Sequence, residues 1–223
     1  MKRTLIRNAE IIATMEDSGR EIAGGCILIR GGAIEAVGSH SEAARWPKAD
    51  EIVEAAGCVV TPGLVNTHHH LYQTLTRAVP EAASALLFGW LQSLYPIWAR
   101  MQPDDFVLAA QLGLSELALS GCTLSADHQY IFPNGARLDD TIAAAKEVGV
   151  RFHATRGSMS IGRSKGGLPP DRVVEQEAAI LKDSQRLIER CDERRQFGFH
   201  ALRRHWLERG WIARGERVAQ PRQ

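Results

Sequence analysis

Pro62-Gly63-Leu64-Val65-Asn66-Thr67-His68-His69-His70 is the stretch that decides how the chain is read. A Pro-Gly turn opens it, a short apolar run follows, and three histidines close it. Alternate residues of an extended segment point the same way, so His68 and His70 aim at one point while His69 faces the other side. Neutral imidazole is a good ligand for zinc and related divalent ions. Two imidazoles converging where a strand ends suit a metal site on the catalytic face of a barrel. The plain alternatives are a solvated histidine loop or a hydrogen-bonded core pair. The turn and the apolar run weigh against them because they hold the backbone in the required geometry.

Upstream, residues 1–60 read as a small β-unit. Residues 3–14 are apolar-rich and strand-like. Cys26–Arg30 and Ala33–Val37 flank Gly31-Gly32, a pair that can supply the positive φ of a two-residue hairpin turn. A third short apolar run covers Gly57–Thr61, and Ser39–Asp50 gives only a weak signal. Downstream the rhythm changes to strand and helix in alternation. Gly63–Thr67 predicts a strand and residues 104–120 a helix, with Asp104 and Asp105 at its positive end and Gly121 at its exit. Cys122–His128 predicts a second strand. Residues 140–148 predict a helix, with Asp139 as N-cap and Gly149 beyond its end. Val150–Ser158 predicts a third strand. Residues 171–191 predict a long helix, because Val173/Val174, Ile180/Leu181 and Leu187/Ile188 recur every seven residues on one face. Short links between such elements imply parallel strands joined by right-handed crossovers. That pattern alone fits a doubly wound sheet as well as part of a (β/α)₈ barrel, and no GxGxxG follows a strand to favour a dinucleotide fold.

Residues 62–70 resemble the first-strand signature of the amidohydrolase superfamily. The continuation Leu71-Tyr72-Gln73-Thr74-Leu75-Thr76-Arg77-Ala78 resembles the branch that holds 8-oxoguanine deaminase and the triazine aminohydrolases. So do Ser125-Ala126-Asp127-His128 and Ala154-Thr155-Arg156-Gly157-Ser158-Met159-Ser160. The resemblance covers about residues 1–195. It implies an α/β chain: the first part of a (β/α)₈ TIM-type barrel over residues 61–195, preceded by a small β-sandwich unit. It also implies a hydrolase of carbon–nitrogen bonds other than peptide bonds that deaminates an amino-substituted heterocycle, an 8-oxoguanine-like purine or an aminotriazine. One divalent metal, zinc or iron(II), would be held by His68 and His70. The resemblance also leaves room for a homo-oligomer of the full-length enzyme.

Around that centre, Gln73 reads either as a partner for the heterocycle edge or as a loop-capping amide. His128 and Arg156 end the second and third strands, where a barrel makes substrate contacts. Tyr72, Trp90 and Trp98 offer flat walls or ordinary core packing. Arg77 offers a partner for a ring oxygen or a surface ion pair. His153 reads as an interior histidine, and the loop Gly157–Pro170 as a lid or a plain connection.

A net charge of +1 gives no overall drive toward nucleic acid or membrane. Four cysteines without a CxxC pair, no signal-like N-terminus and no bilayer-length apolar run point to a reduced, cytoplasmic setting. The charge is uneven, with 21 Lys+Arg against 24 Asp+Glu in residues 1–195 and six Arg against two Glu in residues 196–223. This basic tail departs from the family pattern and reads as out-of-frame translation of a GC-rich gene, or as a basic helix carrying His200, Arg203, Arg204 and Leu207. The family takes further histidines from its fifth and sixth strands, an aspartate from its eighth and a proton-transferring carboxylate near its fifth. A whole barrel needs about 250 residues. The expectation is therefore a truncated chain with no proton-transfer residue assigned, poorly active alone. Two competing expectations are a fragment that complements a partner barrel half and an unrelated α/β binding protein.

Overall fold

The computed structural model describes residues 1–192; the basic tail of residues 196–223 lies outside the described residues. The chain divides into two compact units, Met1–Gly63 and the part that starts at Leu64.

The first unit is one five-stranded sheet. β1 (Arg3–Ala13) pairs antiparallel with β2 (Glu21–Arg30), which pairs antiparallel with β3 (Ala33–Gly38). Gly31 and Gly32 have φ of 57° and 86°, the conformation a type I′ hairpin turn demands of both central residues. β4 (Glu51–Glu54) and β5 (Val59–Val60) run parallel to β1 and share its remaining edge. The expected sandwich is thus corrected to a single sheet, because both late strands pair with β1 and none is left to form a second layer. β1 breaks register between Ile6 and Ala9, where Asn8 takes a φ of 60°. Such a bulge bends and twists the strand. Ala9, Ile12, Ile22, Ile27 and Ala55 form the small core. The weak segment after β3 holds α1 (His40–Ala43). Ser39 caps it, and the Ser39 N–H donates to Glu42 Oε2 at 2.7 Å.

The second unit is α/β. β6 (Leu64–Asn66), β7 (Cys122–Gln129) and β8 (Arg151–Arg156) are parallel and lie side by side in chain order. α2 (Leu87–Trp98) and α3 (Pro103–Leu119) connect the first two strands, α4 (Leu138–Val148) connects the next two, and α5 (Glu177–Asp192) follows β8. α2 has no clear periodic signature in the sequence, because its aromatic residues interrupt the pattern.

Two helix starts differ from expectation. α4 begins at Leu138 after an Arg137 N-cap, whose N–H donates to Asp140 Oδ2 at 2.7 Å. Asp139 is therefore inside the first turn, where it pairs with Arg186 at 2.6 Å. α5 begins only at Glu177, because Pro169-Pro170 leads into a single 3₁₀ turn (Asp171–Val173) and Val174 is extended. Gly149 ends α4 with a φ of 82°, the left-handed cap that glycine favours.

Two apolar clusters hold this unit. Leu71, Ala110, Leu114, Leu138, Phe152 and Leu187 join the strands to α3, α4 and α5. Tyr72, Leu94, Tyr95, Trp98, Phe106 and Ile131 form an aromatic-rich core beside the strand ends. In it the buried Trp98 donates Nε1–H to Thr76 Oγ1 at 2.9 Å. No described helix is long and apolar enough to cross a membrane.

Candidate metal centre

β6 stops at Asn66, two residues before the first ligand candidate. The alternation nevertheless carries through, since His68 Nε2 and His70 Nε2 lie 3.2 Å apart. Two nitrogens bound at about 2.05 Å to one tetrahedral ion are separated by about 3.3 Å, so the pair already has the spacing of two zinc ligands. Asn66 supports the turn by accepting the His68 N–H on Oδ1 at 3.1 Å.

His70 is oriented further. Its Nδ1 lies 2.7 Å from the main-chain oxygen of His128. A carbonyl only accepts, so Nδ1 carries the proton and Nε2 keeps its lone pair for a metal. This is the outer-shell bond that fixes tautomer and ring plane in histidine metal sites. Burial holds the His69, His70 and His128 imidazoles below their ordinary range, which favours the neutral form that a metal requires. The donor set therefore fits one divalent ion. Among the described residues no group of three or more His, Cys, Asp or Glu side chains converges on a point.

The other candidates separate into two groups. His128 stands beside the pair, with its ring centre 5.5 Å from that of His70. Gln73 lies in the same neighbourhood and donates Nε2–H to the Tyr72 and Tyr130 hydroxyls, each at 3.2 Å. It lines a cavity of about 280 Å³ with His69, His70, Thr74 and Arg77. Arg156, by contrast, is committed elsewhere. It pairs with Glu175, reaches Asp183 at 3.3 Å, donates to Gly157 O at 2.8 Å and stacks 4.4 Å above the Phe132 ring centre. Its donors tie β8 to Glu175, ahead of α5, and to Asp183 within it. Tyr72 and Trp98 are fully packed and Trp90 meets Trp98 edge to face. Arg77 pairs with Glu116 at the surface, and His153 sits half-buried within β8.

Two neighbours escaped the sequence reading. Tyr130 faces His70 with ring centres 5.1 Å apart. Asp127, 1% exposed, accepts the Leu71 N–H on Oδ1 at 2.7 Å, while its Oδ2 has no partner. Burial pushes its carboxyl up to about 7, against the lowering effect of the Leu71 and His128 N–H groups. The available signal was the period of β7: Ser125, Asp127 and Gln129 are buried on one face, and His128 lies on the other.

The amidohydrolase family model covers residues 59–203. The chain belongs to the amidohydrolase family. Its amidohydrolase relatives include the 8-oxoguanine deaminase of Pseudomonas aeruginosa, 46% identical over 87% of this chain and 43% of that protein. The hydroxydechloroatrazine ethylaminohydrolase of Pseudomonas sp. strain ADP is 30% identical over 91% of this chain and 44% of its own. A mutant of the atrazine chlorohydrolase of Arthrobacter aurescens TC1, solved with zinc and atraton, superposes with a TM-score of 0.74. It is 34% identical over 83% of this chain and 42% of that one. The chain thus spans a little under half the length of these amidohydrolase relatives.

Proposed function

We propose that this chain carries the first part of a (β/α)₈ barrel and two of the metal ligands of an aminohydrolase that deaminates an amino-substituted N-heterocycle. The observation that carries the reading is the 3.2 Å convergence of His68 Nε2 and His70 Nε2, with His70 Nδ1 occupied by a carbonyl. The similarity to deaminases and aminohydrolases supports the substrate class, an 8-oxoguanine-like purine or an aminotriazine.

His68 and His70 would hold one zinc ion, or iron(II), through their Nε2 atoms. When bound, the ion supplies Lewis acidity and activates water near neutral pH. The residues around it do the positioning. The His128 carbonyl holds the proton on His70 Nδ1. His128 and Tyr130 stand beside the ligand pair, where a flat ring would meet their side chains. The Gln73 amide is held by two tyrosine hydroxyls, so its free oxygen can accept from a ring N–H at little entropic cost. Arg156 has no part in this contact set.

Catalytic zinc sites use about three protein ligands. Two donors among the described residues therefore predict weak metal affinity and turnover that depends on further donors. The test is titration of the full chain with zinc(II), beside ammonia release from 8-oxoguanine and an aminotriazine. One weak zinc site is expected, lost in both His68→Ala and His70→Ala, with slow, zinc-dependent ammonia release. Unchanged zinc binding in both variants, or ordinary enzymatic turnover after chelation, would overturn the reading.

A further inference from the structure

The segment bearing the proposed ligands is laced to the end of β7 by three hydrogen bonds. The His128 N–H donates to His69 O at 2.8 Å. His70 Nδ1–H donates to His128 O at 2.7 Å. The Leu71 N–H donates to Asp127 Oδ1 at 2.7 Å. The residues before and after His70 are therefore both fixed by neighbours in β7, and so is the ring of His70 itself.

Two of these bonds use only main chain on the β7 side, so any side chain at 128 could make them. The third needs an acceptor at position 127. Leu71 is fully buried, so its N–H cannot turn to water. Asp127 is not itself a ligand candidate, since it belongs to the buried face of β7 opposite His128 and its bonded oxygen is taken by backbone. Leu71 also opens the 3₁₀ turn Leu71–Thr76, which carries Gln73. One carboxylate thus sets where the chain leaves His70 and where the turn bearing Gln73 begins.

We infer that Asp127 is a positioning residue for the metal centre, acting through the Leu71 N–H to hold His70 Nε2 within ligand distance of His68. The inference rests on the metal-site reading given above. It concerns a residue that touches neither the ion nor the ring.

Cobalt(II) titration of the full chain tests it, read by the d–d absorption of the bound ion and by the bonded Nδ1–H proton resonance of His70. Loss of an outer-shell partner in metal sites lowers affinity by about 10–100-fold. Asp127→Ala is expected to fall in that range and to broaden or shift the Nδ1–H resonance. Asp127→Asn keeps an oxygen for Leu71 and is expected to stay within about threefold of the parent. Asp127→Leu keeps the side-chain bulk without the acceptor and should match Asp127→Ala; it also serves if the alanine variant does not fold. Leu94→Ala, in the aromatic-rich cluster that does not include Leu71, controls for lost stability and should bind cobalt normally. Wild-type cobalt affinity in folded Asp127→Ala or Asp127→Leu, with His70→Ala unable to bind, would overturn the inference alone. Wild-type binding in both His68→Ala and His70→Ala would remove the metal-site reading beneath it. Equal losses in Asp127→Asn and Asp127→Ala would also overturn the inference, since the acceptor would then not be what matters.

Discussion

Replacing Asp127 with Asn should change how the chain's stability depends on pH. The native carboxyl sits at about 7 against an ordinary 3.8 because it is buried. A raised carboxyl is at its least costly below the ordinary value. Stability is lost as pH rises from 3.8 through the folded value, since over that interval the folded state binds the extra proton. The full penalty above pH 7 corresponds to about 4 kcal/mol, and the part that accrues between pH 5 and pH 8 to about 2.5 kcal/mol. Asn keeps an acceptor for Leu71 but cannot ionise. Its amide places a donor where Oδ2 now has no partner, at a cost of about 1–3 kcal/mol that is the same at every pH. The difference in unfolding free energy, variant minus parent, should therefore rise by about 2.5 kcal/mol from pH 5 to pH 8. The buried histidines nearby titrate in the opposite sense in both proteins and cancel in this difference. Urea unfolding of the chelated full chain, followed by near-ultraviolet circular dichroism, measures it. With a urea dependence of about 2–3 kcal/mol per molar, the midpoints should shift relative to each other by about 1 M. A change under about 0.5 kcal/mol across that range would refute the claim that burial raises this carboxyl.

Gly157→Ala should displace the proposed ring-binding wall. An added Cβ would fall 2.7 Å from Tyr130 Cβ and against His128 Nε2, so stability should drop by about 1–3 kcal/mol. Gly89→Ala is the counter-case within α2. Its new methyl meets only Ala85 Cβ at 3.6 Å, and thermal unfolding should show a gain of about 0.5–1 kcal/mol. Arg156→Ala should cost about 3 kcal/mol or more, because Glu175 and Asp183 lose a partner that is only 5% exposed. Arg77→Ala breaks an exposed pair with Glu116 and should stay within about 1 kcal/mol. Trp98→Phe removes the Nε1–H bond to Thr76 and should cost about 1–3 kcal/mol in urea unfolding, with zinc stoichiometry unchanged.

Much of the chain was legible wherever local chemistry and tertiary packing agree. The Gly31-Gly32 turn needed two positive φ values, and only glycine adopts them freely. The α3 and α4 helices carried acidic first turns, and α4 a terminal glycine. The convergence of His68 and His70 was legible from spacing, because alternate side chains converge even where regular strand pairing has stopped. The partners of Arg156 were not legible, for a physical reason. Its place at a strand end matched that of a substrate contact, but two carboxylates that engage it come from positions 175 and 183, which the sequence could not bring near it. Asp127 was hidden in the opposite way. A carboxylate beside a histidine looks like a site residue or a surface charge, and only packing reveals a buried oxygen turned toward a main-chain N–H 56 residues away.

The sequence by itself determined the element rhythm, the hairpin, the family resemblance and the two imidazoles that aim at one point, since these depend on contacts within a few residues. Tertiary structure decided the rest. It gathered β4 and β5 onto a single sheet, fixed the His70 tautomer through a carbonyl at position 128, and separated a tethering arginine from the ring-binding candidates. Those outcomes depend on which distant groups share a buried space, where every donor needs a partner and no water is present to supply one.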